Sequence, residues 1–222
     1  MSVHIRKCAG STFKAALRES FGSRVLFDYG DEIGSNWPSS VEKRKRRLKA
    51  AIDSKAAIEK NYDVIHGHFF REKYNFLTCE RAYITFMRNP LYRILSNYYY
   101  LKRNPKRANP DAIIVNKLSY TLEEFAAHPD NQNLQSQFIQ SKNLDEFSVV
   151  GIVEDYELSI ERINYVHGTN LGCAHRENVN ENSDENYDVP KRTIAIINAN
   201  NLEDLRLYDK ARNQLAKSSF WV

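Results

Sequence analysis

Near the start of the chain, His4-Ile5-Arg6-Lys7-Cys8-Ala9-Gly10-Ser11-Thr12-Phe13 joins a short apolar stretch, Val3 to Ile5, to a helical pattern that begins at Ser11. Such a joint can hold an anion. Backbone N–H groups at a helix N-terminus point outward and carry partial positive charge. Small residues let an anion approach that backbone. Lys7 adds a full charge, and the Ser11 and Thr12 hydroxyls add donors. The spelling GxxxxGK[ST] is absent, because here the lysine precedes the glycine. Taken alone, the segment also fits a plain strand–turn–helix joint with a solvated lysine.

A second segment repeats the pattern. Ile84-Thr85-Phe86-Met87-Arg88-Asn89-Pro90-Leu91-Tyr92-Arg93-Ile94-Leu95-Ser96 reads as strand, turn and helix. Arg88 sits at the strand end, and an arginine can grip a phosphate through two parallel hydrogen bonds. Ser96 lies roughly two helical turns further on. Leu91, Leu95 and Tyr98 form the expected buried stripe, which leaves Ser96 on another face. The plain alternative is an Arg-Asn-Pro helix start followed by an exposed serine.

Between these segments, Val64-Ile65-His66-Gly67-His68-Phe69 places two histidines at a strand end. Two residues apart on a strand, they share a side. Neutral imidazole can take a proton near neutral pH. The same pair could be satisfied by local backbone or bind a metal, but no cysteine or carboxylate cluster accompanies it in sequence. No metal site is expected.

These residues need a scaffold that brings several strand ends together. Strand candidates at Val3 to Ile5, Arg24 to Phe27, Tyr62 to His66, Ala82 to Met87 and Phe147 to Val153 alternate with helical patterns. One helix starts at Ser11, where Ser11 or Thr12 can cap it, and ends at Gly22. A charged one runs from Ser39 or Ser40 to about Glu59. Another opens at Pro90 and reaches about Arg103. Thr121 begins a further helix, Asp155 caps the one after the last strand, and helices follow Pro190. Residues 28–38 and 172–189 read as loops. This alternation implies a single α/β domain over residues 1–222: a mostly parallel central sheet between two helical layers, with helical additions. Ligands of such sheets sit at the carboxyl ends of the strands.

Composition is that of an ordinary globular protein, with 42% hydrophobic and 27% charged residues. A net charge of +4 over 222 residues fits an anionic ligand but does not mark a nucleic-acid binder. Cys8, Cys79 and Cys173 are an odd, widely spaced set, so free thiols are expected. No apolar run reaches transmembrane length and no signal-peptide core is visible, so a cytoplasmic location without membrane contact is the expectation. Met1 lies only a few residues before the first strand, which would also suit a chain lacking upstream sequence. The basic run Lys43-Arg44-Lys45-Arg46-Arg47-Leu48-Lys49 reads first as a solvated helix face. Its functional reading is a polyanion-binding edge beside an acidic acceptor. Tyr98-Tyr99-Tyr100 reads as packing around a helix.

The first segment resembles the 5′-phosphosulfate loop of sulfotransferases that use 3′-phosphoadenosine 5′-phosphosulfate (PAPS), often written HIPKTGGTS or HIPKCAGTS. Arg6 replaces the usual proline. The second resembles the family's 3′-phosphate motif, R-[DN]-P followed by R-x-[LI]-S-x-Y. His-Gly-His resembles its G-H-F element and the paired histidines of heparan 2-O-sulfotransferases. The likeness spans nearly the whole chain, in the family's order. It implies a P-loop NTPase-like three-layer sandwich and transfer of a sulfuryl group from PAPS to an acceptor hydroxyl on a sugar or small molecule, with PAP as product. No metal is required. Carried over, Arg6, Lys7, Cys8, Ala9, Gly10, Ser11, Thr12 and Phe13 line the 5′-phosphosulfate, with Lys7 also catalytic. Arg88 and Ser96 hold the 3′-phosphate. His68 is the first choice as base and His66 the second. His175-Arg176-Glu177-Asn178-Val179-Asn180 resembles a late nucleotide loop and makes Arg176 a further contact. The competing readings are a nucleotide phosphotransferase, disfavoured by the lysine's position, and a non-catalytic module that holds PAP or an acidic glycan.

Overall fold

The computed structural model describes residues 1–31, 38–105, 113–139, 143–173 and 187–218. Five strands form one sheet: β1 (Ser2–Val3), β2 (Val25–Asp28), β3 (Val64–Gly67), β4 (Ile84–Met87) and β5 (Val149–Ile152). Their order is β2-β3-β1-β4-β5, and every pairing is parallel. All four residues of β4 and of β5 are buried. Continuous apolar runs of this kind belong to strands covered on both faces.

The helices are α1 (Gly10–Phe21), α2 (Pro38–Asp53), α3 (Lys55–Asn61), α4 (Pro90–Arg103), α5 (Leu122–Ala127), α6 (Leu134–Phe138), α7 (Tyr156–His167), α8 (Lys191–Ala199) and α9 (Leu202–Ser218). Phe13, Ala16 and Leu17 are the buried side of α1, as their spacing predicts, and α1 lies against β2 and β3. On the other flank α7 and α9 cover β5. A second apolar cluster, including Ile94, Leu95, Leu101, Phe125 and Ile197, binds α4, α5 and α8 together outside the sheet. The architecture is the expected P-loop-like α/β sandwich with helical additions. Among the described residues no helix is long and apolar enough to cross a membrane. The three cysteines are unpaired.

Three local expectations change. The charged helix from residue 39 or 40 to 59 is two helices, broken at Ser54, whose φ of −96° and ψ of 9° leave the helical region. Its N–H is shared between the Ala50 and Ala51 carbonyls, both at 3.2 Å. The first strand is Ser2–Val3 rather than Val3 to Ile5, although the His4 N–H still reaches the Gly67 carbonyl at 2.8 Å. The helix after it starts one residue early, at Gly10, with Ala9 as its cap position and no side-chain capping bond. Ser11 and Thr12 therefore lie inside the first turn rather than ahead of it.

Connectivity places the site. From β1 the chain runs through α1 to the β2 side of the sheet; from β4 it runs through α4 to the β5 side. Neighbouring strands whose connections diverge open a crevice at their carboxyl ends, where ligands of open α/β sheets bind. Here that crevice lies between the segment after β1 and the segment after β4.

Gly67 is a packing requirement on this edge. A Cβ there would stand 1.7 Å from the Asp28 carbonyl oxygen, which is backbone and cannot yield. Gly67→Ala is expected to destabilise the fold by about 1–3 kcal/mol or more, since overpacking forces the strands apart. Urea unfolding measures this; an unchanged midpoint would show that β2 and β3 are less closely apposed.

Candidate active site

The loop Arg6–Ala9 leaves β1 and enters α1. Lys7 (φ 67°) and Ala9 (φ 55°) both occupy the left-handed region. For residues with a Cβ this costs on the order of 1–2 kcal/mol each. The strain is held by a bond from the Cys8 N–H to the Ile5 carbonyl (3.1 Å), by the buried Cys8 side chain and by the Phe13 N–H on the Ala9 carbonyl (2.9 Å). Left-handed residues in such a turn bend backbone N–H groups into a concave, anion-binding nest. The first turn of α1 spends none of its amides on its cap residue's side chain. Gly10 has no room for a side chain: a Cβ would lie 1.8 Å from the His4 ring. Arg6 is half-buried, Ser11 exposed, and Thr12 and Phe13 buried. Burial pushes the Cys8 thiol up to about 12, so it stays protonated and is no nucleophile.

Arg88 follows β4. Its N–H donates to Gln135 Oε1 at 2.9 Å, and its carbonyl accepts from Gln135 Nε2 at 2.8 Å. Its guanidinium reaches the Lys7 carbonyl at 3.4 Å, so the structure brings the two loops together. Asn89 Oδ1 accepts the Leu91 N–H at 3.0 Å and Pro90 opens the helix, which makes asparagine an adequate α4 cap. Ser96 is half-buried on the second turn. Leu95 and Tyr98 lie in the buried stripe as expected, but Leu91 is only partly buried, and Ile94 and Leu101 complete the stripe instead. Arg176 lies outside the described residues.

His66 is buried in β3, and its Nδ1 lies 2.8 Å from Ser2 Oγ. His68 stands just past the strand with Nδ1 2.7 Å from the His4 carbonyl oxygen. A carbonyl can only accept, so Nδ1 carries the proton and Nε2 keeps the lone pair. The His4 ring stacks on His66 at 5.3 Å and on His68 at 4.4 Å. The pair thus shares a side, and a third histidine lies against both. Desolvation, the largest cause, brings His66 down to about 3; for His68, desolvation and the Arg6 charge outweigh the bond to the His4 carbonyl and leave it at about 4. Burial and its two histidine neighbours hold His4 well below the ordinary imidazole range. All three are neutral at physiological pH.

The sequence model of the Sulfotransferase family matches residues 1–211. The chain belongs to the sulfotransferase family. No curated protein matches it. Sulfuryl transfer is the chemistry this membership supports.

Parts of the surroundings of these loops were not legible in the sequence. Asp28 and Asp31 form a buried cluster with Lys73, at 2.6 and 3.0 Å. The Tyr74 hydroxyl donates to Asp28 at 2.7 Å, and Arg47 of α2 joins at 2.9 Å. Burial opposes the Asp28 charge, yet bonds from Lys73 and Tyr74 outweigh it and hold the carboxyl below its usual range. The Asp31 N–H donates to the His68 carbonyl at 3.2 Å, which ties the cluster to the histidine. This corrects the reading of the basic run as a solvated face. Arg47 turns inward to Asp28 and Arg44 covers the Phe70 ring at 4.7 Å, while Lys45, Arg46 and Lys49 stay exposed. Tyr98 and Tyr99 do pack, on Phe125 and Tyr187, but Tyr100 lies 4.1 Å beneath the Lys7 ammonium. Contacts this distant in sequence leave no periodic trace. The one available signal was His4, in the phosphate-loop segment next to the strand that pairs with β3.

The lowered histidines carry a stability consequence. Between about pH 6.5 and pH 4 the unfolded chain binds protons on His66 and His68 that the folded chain refuses. Stability is therefore lost as the pH falls through that window. Urea midpoints at pH 7 and pH 4.5 should show the drop, and His68→Gln should make it shallower. An identical pH slope in the variant would show that His68 titrates normally in the fold.

Proposed function

We propose that this sulfotransferase takes its sulfuryl group from PAPS and places it on a hydroxyl of a small-molecule or carbohydrate acceptor, leaving 3′,5′-ADP (PAP). The observation that carries the reading is the meeting of two anion-ready loops across one crevice, Arg88 against the Lys7 carbonyl at 3.4 Å. A donor with phosphates at both ends of its ribose needs two such places, whereas ATP needs one extended place. The residues fit it. The nest of Arg6, Lys7, Cys8, Ala9 and Gly10, with Ser11, Thr12 and Phe13 in the first turn, suits the 5′-phosphosulfate. Arg88 and Ser96 suit the 3′-phosphate, and Arg176 is carried as a further contact on its sequence likeness.

The donor supplies an activated sulfur–oxygen bond. Lys7 offsets the charge that develops on the departing 5′-phosphate, together with the loop amides. His68 Nε2 accepts the acceptor proton, since its other nitrogen is already committed to His4. His66, buried in β3 with its Nδ1 on Ser2 and the His4 ring stacked on it, supports the histidine cluster from within rather than touching the acceptor, so it is not the base. The chain's part is positioning and charge stabilisation, and the protonated Cys8 thiol forms no covalent intermediate.

A base lowered to about 4 is weak in the unliganded protein. Arg6 is one cause, and an anion bound beside it cancels that effect. Donor binding is therefore expected to raise His68, while desolvation, the largest cause of its lowering, stays in place. The acid limb of kcat should lie at higher pH than that of kcat/KM for the donor, because the first reports the complex and the second the unliganded enzyme. Coincident limbs would show that donor binding leaves the base unshifted and would remove the proposed coupling to Arg6.

Calorimetry with 3′,5′-ADP, 5′-ADP and ATP tests the donor. Preference for 3′,5′-ADP without magnesium is expected, and preference for ATP with magnesium would replace this reading by a phosphotransferase. Arg88→Ala should weaken 3′,5′-ADP by about 1.5–3 kcal/mol, the worth of a charged hydrogen bond. Lys7→Ala should collapse turnover with 3′-phosphate recognition largely kept. His68→Gln should lower kcat about 10²–10⁴-fold, the usual contribution of a general base.

A further inference from the structure

We infer that Gln135 is the positioning residue that sets the spacing of the two anion loops, an inference that rests on the donor reading above. Gln135 is fully buried on α6, in the crevice between the segments that follow β1 and β4. Its amide faces the backbone of Arg88 on both sides: Oε1 accepts the Arg88 N–H at 2.9 Å and Nε2 donates to the Arg88 carbonyl at 2.8 Å. The orientation is forced, because a backbone N–H only donates and a carbonyl only accepts. Oε1 also receives the Cys8 thiol at 3.6 Å. That thiol is pushed up by burial and keeps its proton to donate. One amide therefore touches both loops, at the residue after Lys7 and at the backbone of Arg88 itself.

The amide is anchored from behind. The backbone N–H groups of Gln135 and Ser136 donate to the two carboxylate oxygens of Asp204 in α9, at 3.0 and 2.7 Å. In return, Asn133 Oδ1 accepts the N–H groups of Glu203 and Asp204 at 3.0 and 3.2 Å. Each helix start caps the other. Gln135 cannot shift without moving α9, so it offers the loops a fixed reference. The direct contact between the loops, Arg88 to the Lys7 carbonyl, is long at 3.4 Å and made by a flexible side chain. Spacing set by Gln135 matters only to a ligand that occupies both loops at once. A nucleotide with a single phosphate does not sense it.

The experiment compares 3′,5′-ADP with 5′-AMP by calorimetry on wild type, Gln135→Met, Arg88→Ala and the double variant. Methionine keeps the volume and removes the amide. Gln135→Met is expected to lose about tenfold or more in 3′,5′-ADP affinity, the order of a lost hydrogen-bond pair, and to hold 5′-AMP within about twofold. Because Gln135 acts through Arg88, the double variant should bind 3′,5′-ADP within about twofold of Arg88→Ala alone. A general loosening of the fold would weaken both nucleotides, and independent losses would multiply in the double variant; either result overturns the inference. Should the methionine variant fail to fold, Gln135→Asn gives the same readout, with an amide one methylene too short to reach both loops. Wild type that binds 3′,5′-ADP no better than 5′-AMP overturns the donor reading and this inference with it. A wild-type preference that survives intact in Gln135→Met overturns the inference alone.

Discussion

Ser2 and Val3 pair in parallel with His66 and Gly67 on one side and with Ile84 and Thr85 on the other. A strand this short has few ladder bonds, and side chains supplement them: Ser2 Oγ contacts His66 Nδ1 at 2.8 Å, and Thr85 Oγ1 donates to the Val3 carbonyl at 2.8 Å. This double register positions the rest of the carboxyl edge. It puts the His4 carbonyl under His68 and stacks the His4 ring on both other histidines. It also starts the Lys7 loop beside the end of β4, within reach of Arg88. Because strand side chains alternate faces, a one-residue slip would turn the histidines to opposite sides of the sheet from their partners.

Around that register the protein spends buried charge on fixing elements rather than on the ligand. Lys73 and Arg47 are matched by Asp28 and Asp31, and that cluster ties α2 to the ends of β2 and β3. Behind the other loop, Arg93 is fully buried and donates to the Asn131 carbonyl at 2.9 Å. Its charge lowers the neighbouring Asp204 carboxyl, but burial is the larger effect and leaves that group above its usual range. Breaking buried ionic groups apart is costly, since the remaining charge has no water to turn to. Strained backbone at Lys7 and Ala9 persists because these surroundings over-determine it.

Much of this was legible in the sequence where the information is local. The Arg-Asn-Pro turn and the helix start at Thr121 depend on neighbours a few residues away, and they fold as read. The errors are local competitions decided at distance. The first turn of α1 starts at Gly10, where the His4 ring fills the space a side chain would take, and this displaces the expected Ser11 or Thr12 cap. Arg44 and Arg47 looked solvated because Phe70 and Asp28 lie outside any helical period of α2. His4 was read as part of a strand, since the register that stacks it on His68 is a property of the sheet and not of either segment.

The geometry proposed to collect an anion also lowers the imidazole proposed as the base beside it. Desolvation and the charge of Arg6 keep His68 neutral with its lone pair on Nε2, but also make that lone pair a poor proton acceptor. Under the proposed donor chemistry these two facts act in sequence. An anion in the nest compensates Arg6 and brings the imidazole closer to the pH at which general-base transfer is efficient. A proton abstracted before the donor arrives would have no sulfuryl group to receive the oxygen. In that proposal a base coupled to the anion through a shared loop would lose little by waiting for the donor. The fixed parts, β1 and its register, are what keep imidazole and nest close enough for this coupling to operate.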